Sequence, residues 1–90
     1  MANSTTGPFW KLDTAAAITT RPVYVKKIVW DSPTTSGDDI LIQDNAGNPI
    51  WEMKAIAGGT GITYERDVET YCSGFNLATL DHGVVYVYIK

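Results

Sequence analysis

The stretch HGVVYVYIK, His82–Lys90, constrains this chain more than any other. Its six residues from Val84 to Ile89 are all β-branched or aromatic, with no charge and no proline. A segment of that kind pairs with copies of itself when it is left uncovered. A strand buried on one face alternates apolar and polar residues, and this one does not. Val85, Val87 and Ile89 fall on one face and Val84, Tyr86 and Tyr88 on the other. The expected position is central in a sheet, with the first face in the monomer core and the second against another sheet or a partner subunit. Tyr86 and Tyr88 suit an interface, because the ring can be buried while the hydroxyl finds a polar partner.

A chain of 90 residues makes one domain, and folding at that size removes only about 60–65% of the unfolded surface. Association would add what the thin core lacks, so a homo-oligomer is expected, a trimer being one option. Hydrophobic residues are 44% and charged residues 19%; the charged share is below the usual ~25%, which fits a packed globule with a mildly apolar surface. The net charge is −3 and Lys26-Lys27 is the sole basic pair, which argues against binding nucleic acid through its phosphates. The single cysteine, Cys72, excludes an internal disulfide framework and a cysteine-based zinc cage. The apolar runs are too short to span a bilayer, and MANSTTGPFW has no basic region leading into an apolar one. No membrane partner and no secretion are expected, and the chain is expected to be made and kept reduced in a cytoplasm. Asn3-Ser4-Thr5 fits a glycosylation sequon but reads as a polar tail in that setting.

Along the chain, ANSTTGP (2–8) is small and polar, and Phe9-Trp10 then turns abruptly aromatic, as an anchor or edge strand would. Residues 1–20 are expected to be an extended N-terminal arm or linker, free or laid on a neighbour, and 21–90 a single β domain. Within the arm, TAAAITT (14–20) reads as a strand or extended link. RPVYVKKIVW (21–30) is a strand by its β-branched and aromatic content, with Tyr24, Lys26, Ile28 and Trp30 on one face and Val23, Val25, Lys27 and Val29 on the other. ILIQD (40–44), the turn residues DNAGNP and IWEMKAI (50–56) form a hairpin, with Trp51, Met53 and Ala55 on one face. AGGTG (57–61) is a connection, the phasing from Ile62 to Tyr71 is weak, and GFNLATL (74–80) alternates. Short strands at 8–12-residue spacing predict an all-β fold, a small antiparallel β-sandwich or barrel that is jelly-roll-like, with the arm attached.

Chemistry-bearing residues are sparse. His82 is the single histidine, has Asp81 beside it, and reads as a turn residue before Gly83. Cys72 has no electropositive surroundings in sequence that would lower its pKa and reads as a structural thiol. Asp38-Asp39 and Asp44-Asn45 lack the spacing of a calcium loop, and AGGTG lacks the helix and lysine of a phosphate loop. Glu65, Asp67 and Glu69 would share a strand face, most simply a solvated one. The chain therefore reads as a non-enzyme without cofactor or metal. Trp10, Trp30 and Trp51, with Tyr86 and Tyr88, are the candidate core or interface anchors; exposed tryptophans would instead permit stacking on sugars.

The pattern KKIVW, then GDDILIQDNAGNPIWE, then GFNLATLDHGVVYVYI resembles small structural proteins of tailed bacteriophages. In these, a strand ending in Trp precedes an I-x-I-x-D-x-x-G hairpin, matched here by Ile40, Ile42, Asp44 and Gly47. A closing G-x-x-x-x-x-L-D-x-G-x-x-Y-x-Y strand is matched by Gly74, Leu80, Asp81, Gly83, Tyr86 and Tyr88. The resemblance covers residues 21–90 and leaves the first twenty outside. It implies a virion component assembled in the host cytoplasm. The first expectation is a capsid decoration, or cement, protein that bridges neighbouring copies of the major capsid protein. The alternatives are a neck or tail accessory bound to other virion proteins, or a glycan- or receptor-binding β-sandwich module.

Overall fold

The computed structural model describes residues 3–5, 9–34, 36–56 and 62–90. Six strands run through them: β1 (Phe9–Leu12), β2 (Ala16–Asp31), β3 (Asp39–Gln43), β4 (Pro49–Lys54), β5 (Thr63–Leu80) and β6 (Val84–Ile89). The fold is all-β, one antiparallel sheet in the order β1-β6-β2-β5-β3-β4. The final strand is flanked on both sides, by β1 and β2, as its apolar composition required.

A sandwich-like globule arises because this one sheet folds over on itself. β2 and β5 have 16 and 18 residues and pair along nearly their whole length. β6 takes only Val25–Asp31 of β2, while β3 takes only Asn76–Leu80 of β5. Each long strand thus gains a second neighbour along its later half only, β6 for β2 and β3 for β5. Register shifts between Ala17 and Pro22 mark where β2 changes course. Pro22 contributes no ladder donor there, and irregularities of this kind bend a strand. The first layer holds β1, β6 and the paired halves β2 25–31 and β5 63–70; the second holds the remaining halves with β3 and β4. The layers meet in one core, where Trp10 of the first stands edge-on to Phe75 of the second, centroids 5.4 Å apart at 82°.

Three residues, Asp81–Gly83, carry the chain from the second layer back to the first. Trp30 Nε1 donates to the His82 carbonyl at 2.8 Å, and Asp81 Oδ2 accepts from the Asp39 amide at 2.8 Å. The bend is therefore held by the end of β2 on one side and the start of β3 on the other. Buried Asp38 anchors the neighbouring 32–38 connection by accepting from the Thr34 amide at 3.0 Å.

Two expectations need correction. The sheet does not begin at residue 21: β1 and the first five residues of β2 lie within 1–20, and Trp10 and Leu12 are core. Of the expected arm, Asn3–Thr5 fold back on β1, where Ser4 and Lys11 exchange backbone hydrogen bonds of 2.8 and 2.9 Å. The asparagine side chain also accepts from the Asp13 amide at 2.8 Å. Residues 1, 2 and 6–8 lie outside the described residues, as does AGGTG. Second, simple alternation misplaces Val25. An extra β2 residue, Lys26, opposes the β6 step from Ile89 to Tyr88, so Val25 joins Ile28 and Trp30 in the core. One inserted residue reverses the side-chain phase of everything beyond it.

Candidate functional site

Residues opposite each other in an antiparallel ladder point to the same face, so the register fixes both faces of the first layer. Inward, Trp10, Val87 and Ile28 form one row across β1, β6 and β2, and Leu12, Val85 and Trp30 the next. All six are buried. Outward, the row Phe9–Tyr88–Lys27–Asp67 crosses β1, β6, β2 and β5, and beside it runs Lys11–Tyr86–Val29–Glu65. Phe9 and Tyr88 are 38% and 40% exposed, while Tyr86 and Val29 are half-buried. The three rings form a ladder, Phe9 lying 5.5 Å from Tyr88 and 6.1 Å from Tyr86.

This outer face grades from aromatic at β1 and β6 to charged at β2 and β5. Lys27 pairs with Glu65 across the strands. The hydrogen bond and charge of Glu65 hold the Lys27 ammonium above its usual pKa. A shallow depression of about 490 Å³ opens beside Tyr88, floored by Lys27 and Val29 and walled by Glu65, Asp67 and Glu69. The three acids do not act as one set. Glu65 and Asp67 project from the outer face, whereas Glu69 sits at a bulge with φ +52° and accepts from the Tyr24 hydroxyl at 3.2 Å.

The five sequence-derived anchors divide cleanly. Trp10, Trp30 and Trp51 are 7%, 0% and 8% exposed and are core; with all three buried, a platform of exposed tryptophans for sugar stacking is not present. Tyr86 and Tyr88 lie together on the outer face. Phe9, Lys11, Lys27, Val29, Glu65 and Asp67 complete that face; alternation places some of them on faces of their own segments but does not join those segments into one face. Their grouping depends on β1 pairing with β6 and β2 with β5, contacts between distant segments.

The chemical candidates fall elsewhere and apart. His82 Nδ1 faces Asp38 Oδ1 at 3.0 Å, whereas the Cys72 sulfur faces the Thr70 carbonyl at 4.0 Å. Burial pushes the Cys72 thiol above its ordinary pKa, which lowers the thiolate fraction that nucleophilic chemistry needs. The Asp44 carboxylate is engaged in its own turn, accepting from the Ala46 and Asn48 amides at 2.9 Å each. Those bonds, that of Asn48 foremost, hold it below the ordinary carboxylate value. Among the described residues no group of three His, Cys, Asp or Glu side chains is placed to hold a metal. The motif positions Asp44, Asp81 and Gly83 all serve the fold, at the hairpin turn and the layer crossing. No protein-family model, curated protein or solved structure matches this chain.

Proposed function

We propose that the protein is a structural component of a tailed-phage virion, foremost a capsid decoration protein that bridges neighbouring major capsid subunits through its outer sheet face. The observation that carries this reading is the Phe9–Tyr86–Tyr88 ladder. Large rings presented outward from strands whose opposite side lines the core form a rigid aromatic contact patch, bordered by the charged residues of β2 and β5. Aromatic anchors on a preorganised scaffold are what protein interfaces concentrate. The resemblance to small phage structural proteins supports the choice of partner, and particle symmetry would repeat each contact many times and add avidity.

The test is co-sedimentation of the purified protein with capsid, neck and tail fractions of the phage. Retention on capsids is expected, with loss of at least about tenfold in affinity for Phe9→Ser combined with Tyr88→Ser, the circular dichroism unchanged. Retention on the neck or tail fraction alone would select the accessory role. No retention on any fraction, or retention indifferent to both substitutions, would overturn the proposal.

A further inference from the structure

The outer face is self-complementary in charge, and its register identifies how two copies would meet. Each of its two rows crosses four strands in the order β1, β6, β2, β5. Two sheets packed face to face about a two-fold axis have that axis lying between them. If it runs along the strands, between β6 and β2, it exchanges β1 with β5 and β6 with β2 while keeping each row opposite itself. Lys11 then faces Glu65 of the second copy, Tyr86 faces Val29, Tyr88 faces Lys27, and Phe9 faces Asp67 beside the depression. Every contact joins opposite charges, a ring and a cation, or apolar groups, apart from the edge pair of Phe9 and Asp67. If the axis instead ran across the strands, β5 would meet β5. Glu65 would then face Asp67 and Lys27 would face Val29, setting like charges against each other at one end.

We propose that this face pairs two copies of the chain about a two-fold axis parallel to its strands, with Lys11 and Glu65 as the reciprocal contact. Lys11 fits that role because, among the described residues, no ion pair engages it. The Tyr88–Lys27 contact places an ammonium against a ring, an arrangement this protein already uses internally where Lys90 Nζ sits 5.2 Å from the Tyr24 centroid. Four strands ~4.8 Å apart give a flat footprint of only ~300 Å² per copy, below the ~800 Å² per partner of standard stable complexes, so the pairing is weak and depends on concentration. This inference rests on the reading of the outer face as a protein interface.

The experiment is sedimentation velocity on the purified protein alone, from about 10 μM to about 1 mM, the range in which so small an interface would dissociate. A monomer–dimer equilibrium is expected in the wild type, shifted to monomer in Lys11→Glu and in Glu65→Lys, each still folded by circular dichroism. Mixing the two variants restores a dimer, because each K11E side chain then meets an E65K side chain and each native Glu65 meets a native Lys11. A protein monomeric throughout the range, or a dimer that survives both single substitutions, overturns the pairing. So does failure of the mixture to associate. A strictly monomeric wild type that still binds virion fractions overturns this inference while leaving the attachment reading standing. A dimer restored by the mixture but without affinity for any fraction does the reverse.

Discussion

Replacing Gly83 with alanine probes the crossing between the two layers. At φ +93° an added Cβ would lie 2.6 Å from the Asp31 carbonyl oxygen, 2.9 Å from Trp30 Nε1 and 3.1 Å from the Pro33 nitrogen. Two of these are backbone atoms, and the Trp30 ring is fully buried, so none can move aside freely. A side chain in this backbone region costs about 1–2 kcal/mol. Displacing the indole breaks its 2.8 Å bond to the His82 carbonyl; a buried donor left without a partner costs about 1–3 kcal/mol more. The expected loss is therefore about 2–5 kcal/mol, a large part of the roughly 5–14 kcal/mol usual for a domain of this length. Gly47 supplies the control. Its φ is +87°, nearly the same, but nothing lies within 4 Å of an added Cβ, so Gly47→Ala should cost only the backbone share. Urea unfolding followed by tryptophan fluorescence separates the two. With a slope of about 1–2 kcal/mol per molar, the extra loss of about 1–3 kcal/mol should lower the midpoint of Gly83→Ala by about 0.5–3 M more than that of Gly47→Ala. Equal shifts would refute the claim that crowding at the crossing, rather than backbone conformation, requires a glycine there.

Three further outcomes are expected. Val87→Asp buries an unpaired carboxylate in the Trp10–Val87–Ile28 row and should abolish folding, while Tyr88→Asp on the outer face leaves the circular dichroism intact; similar behaviour of the two would mean that the strand has no free face. Cys72, 8% exposed and with its thiol pKa raised by burial, should react with a disulfide reagent far more slowly in the folded protein than in urea; equal rates would show an accessible thiol. The folded Asp44 pKa lies below its ordinary value of 3.8, so ionisation favours the folded hairpin. That contribution is complete above the unfolded value and is lost as pH falls through the depressed folded one. The Ala46 and Asn48 amide resonances should therefore move in an acid titration below pH 3.8, and Asp44→Asn should remove the transition.

The elements most legible in the sequence are those in which alternation runs unbroken. β3, β4 and β6 fall within a residue or two of the runs 40–44, 50–56 and 84–89, with Ile40, Ile42, Trp51, Val85 and Val87 buried as their phase predicts. β5 was less clear because its first half lies at the margin of the first layer, where Glu65, Arg66, Asp67 and Tyr71 are exposed and only Tyr64 and Val68 are half-buried. A marginal strand carries little periodicity. β2 hid its own phase behind the bulge at Lys26. β1 is four residues long; its abrupt aromatic onset marks an anchor or edge strand, and an edge strand it is, but its sheet neighbour β6 comes from the far end of the described chain. The outer face inherits the same difficulty. Tyr86 and Tyr88 could be read from β6 alone, but their neighbours Phe9, Lys27 and Glu65 come from three other strands, and a sequence does not state which strands adjoin.

The insertion of β6 between β1 and β2 also fixes an order of events during synthesis. β1 and β2 leave the ribosome early, yet in the finished sheet they never touch; β6, made last of the six, fills the gap between them. Until it arrives, Trp10 and Leu12 have no sheet to join, and Val25–Asp31 offers an unpaired edge beside the β5 ladder. Long-range pairing of this kind slows folding and leaves apolar strands open to other chains meanwhile. The nascent protein is thus most adhesive before β6 is made, when the missing piece is the segment most prone to pair with its own kind. Refolding should accordingly show a rate limited by docking of β6, and a higher yield at low protein concentration.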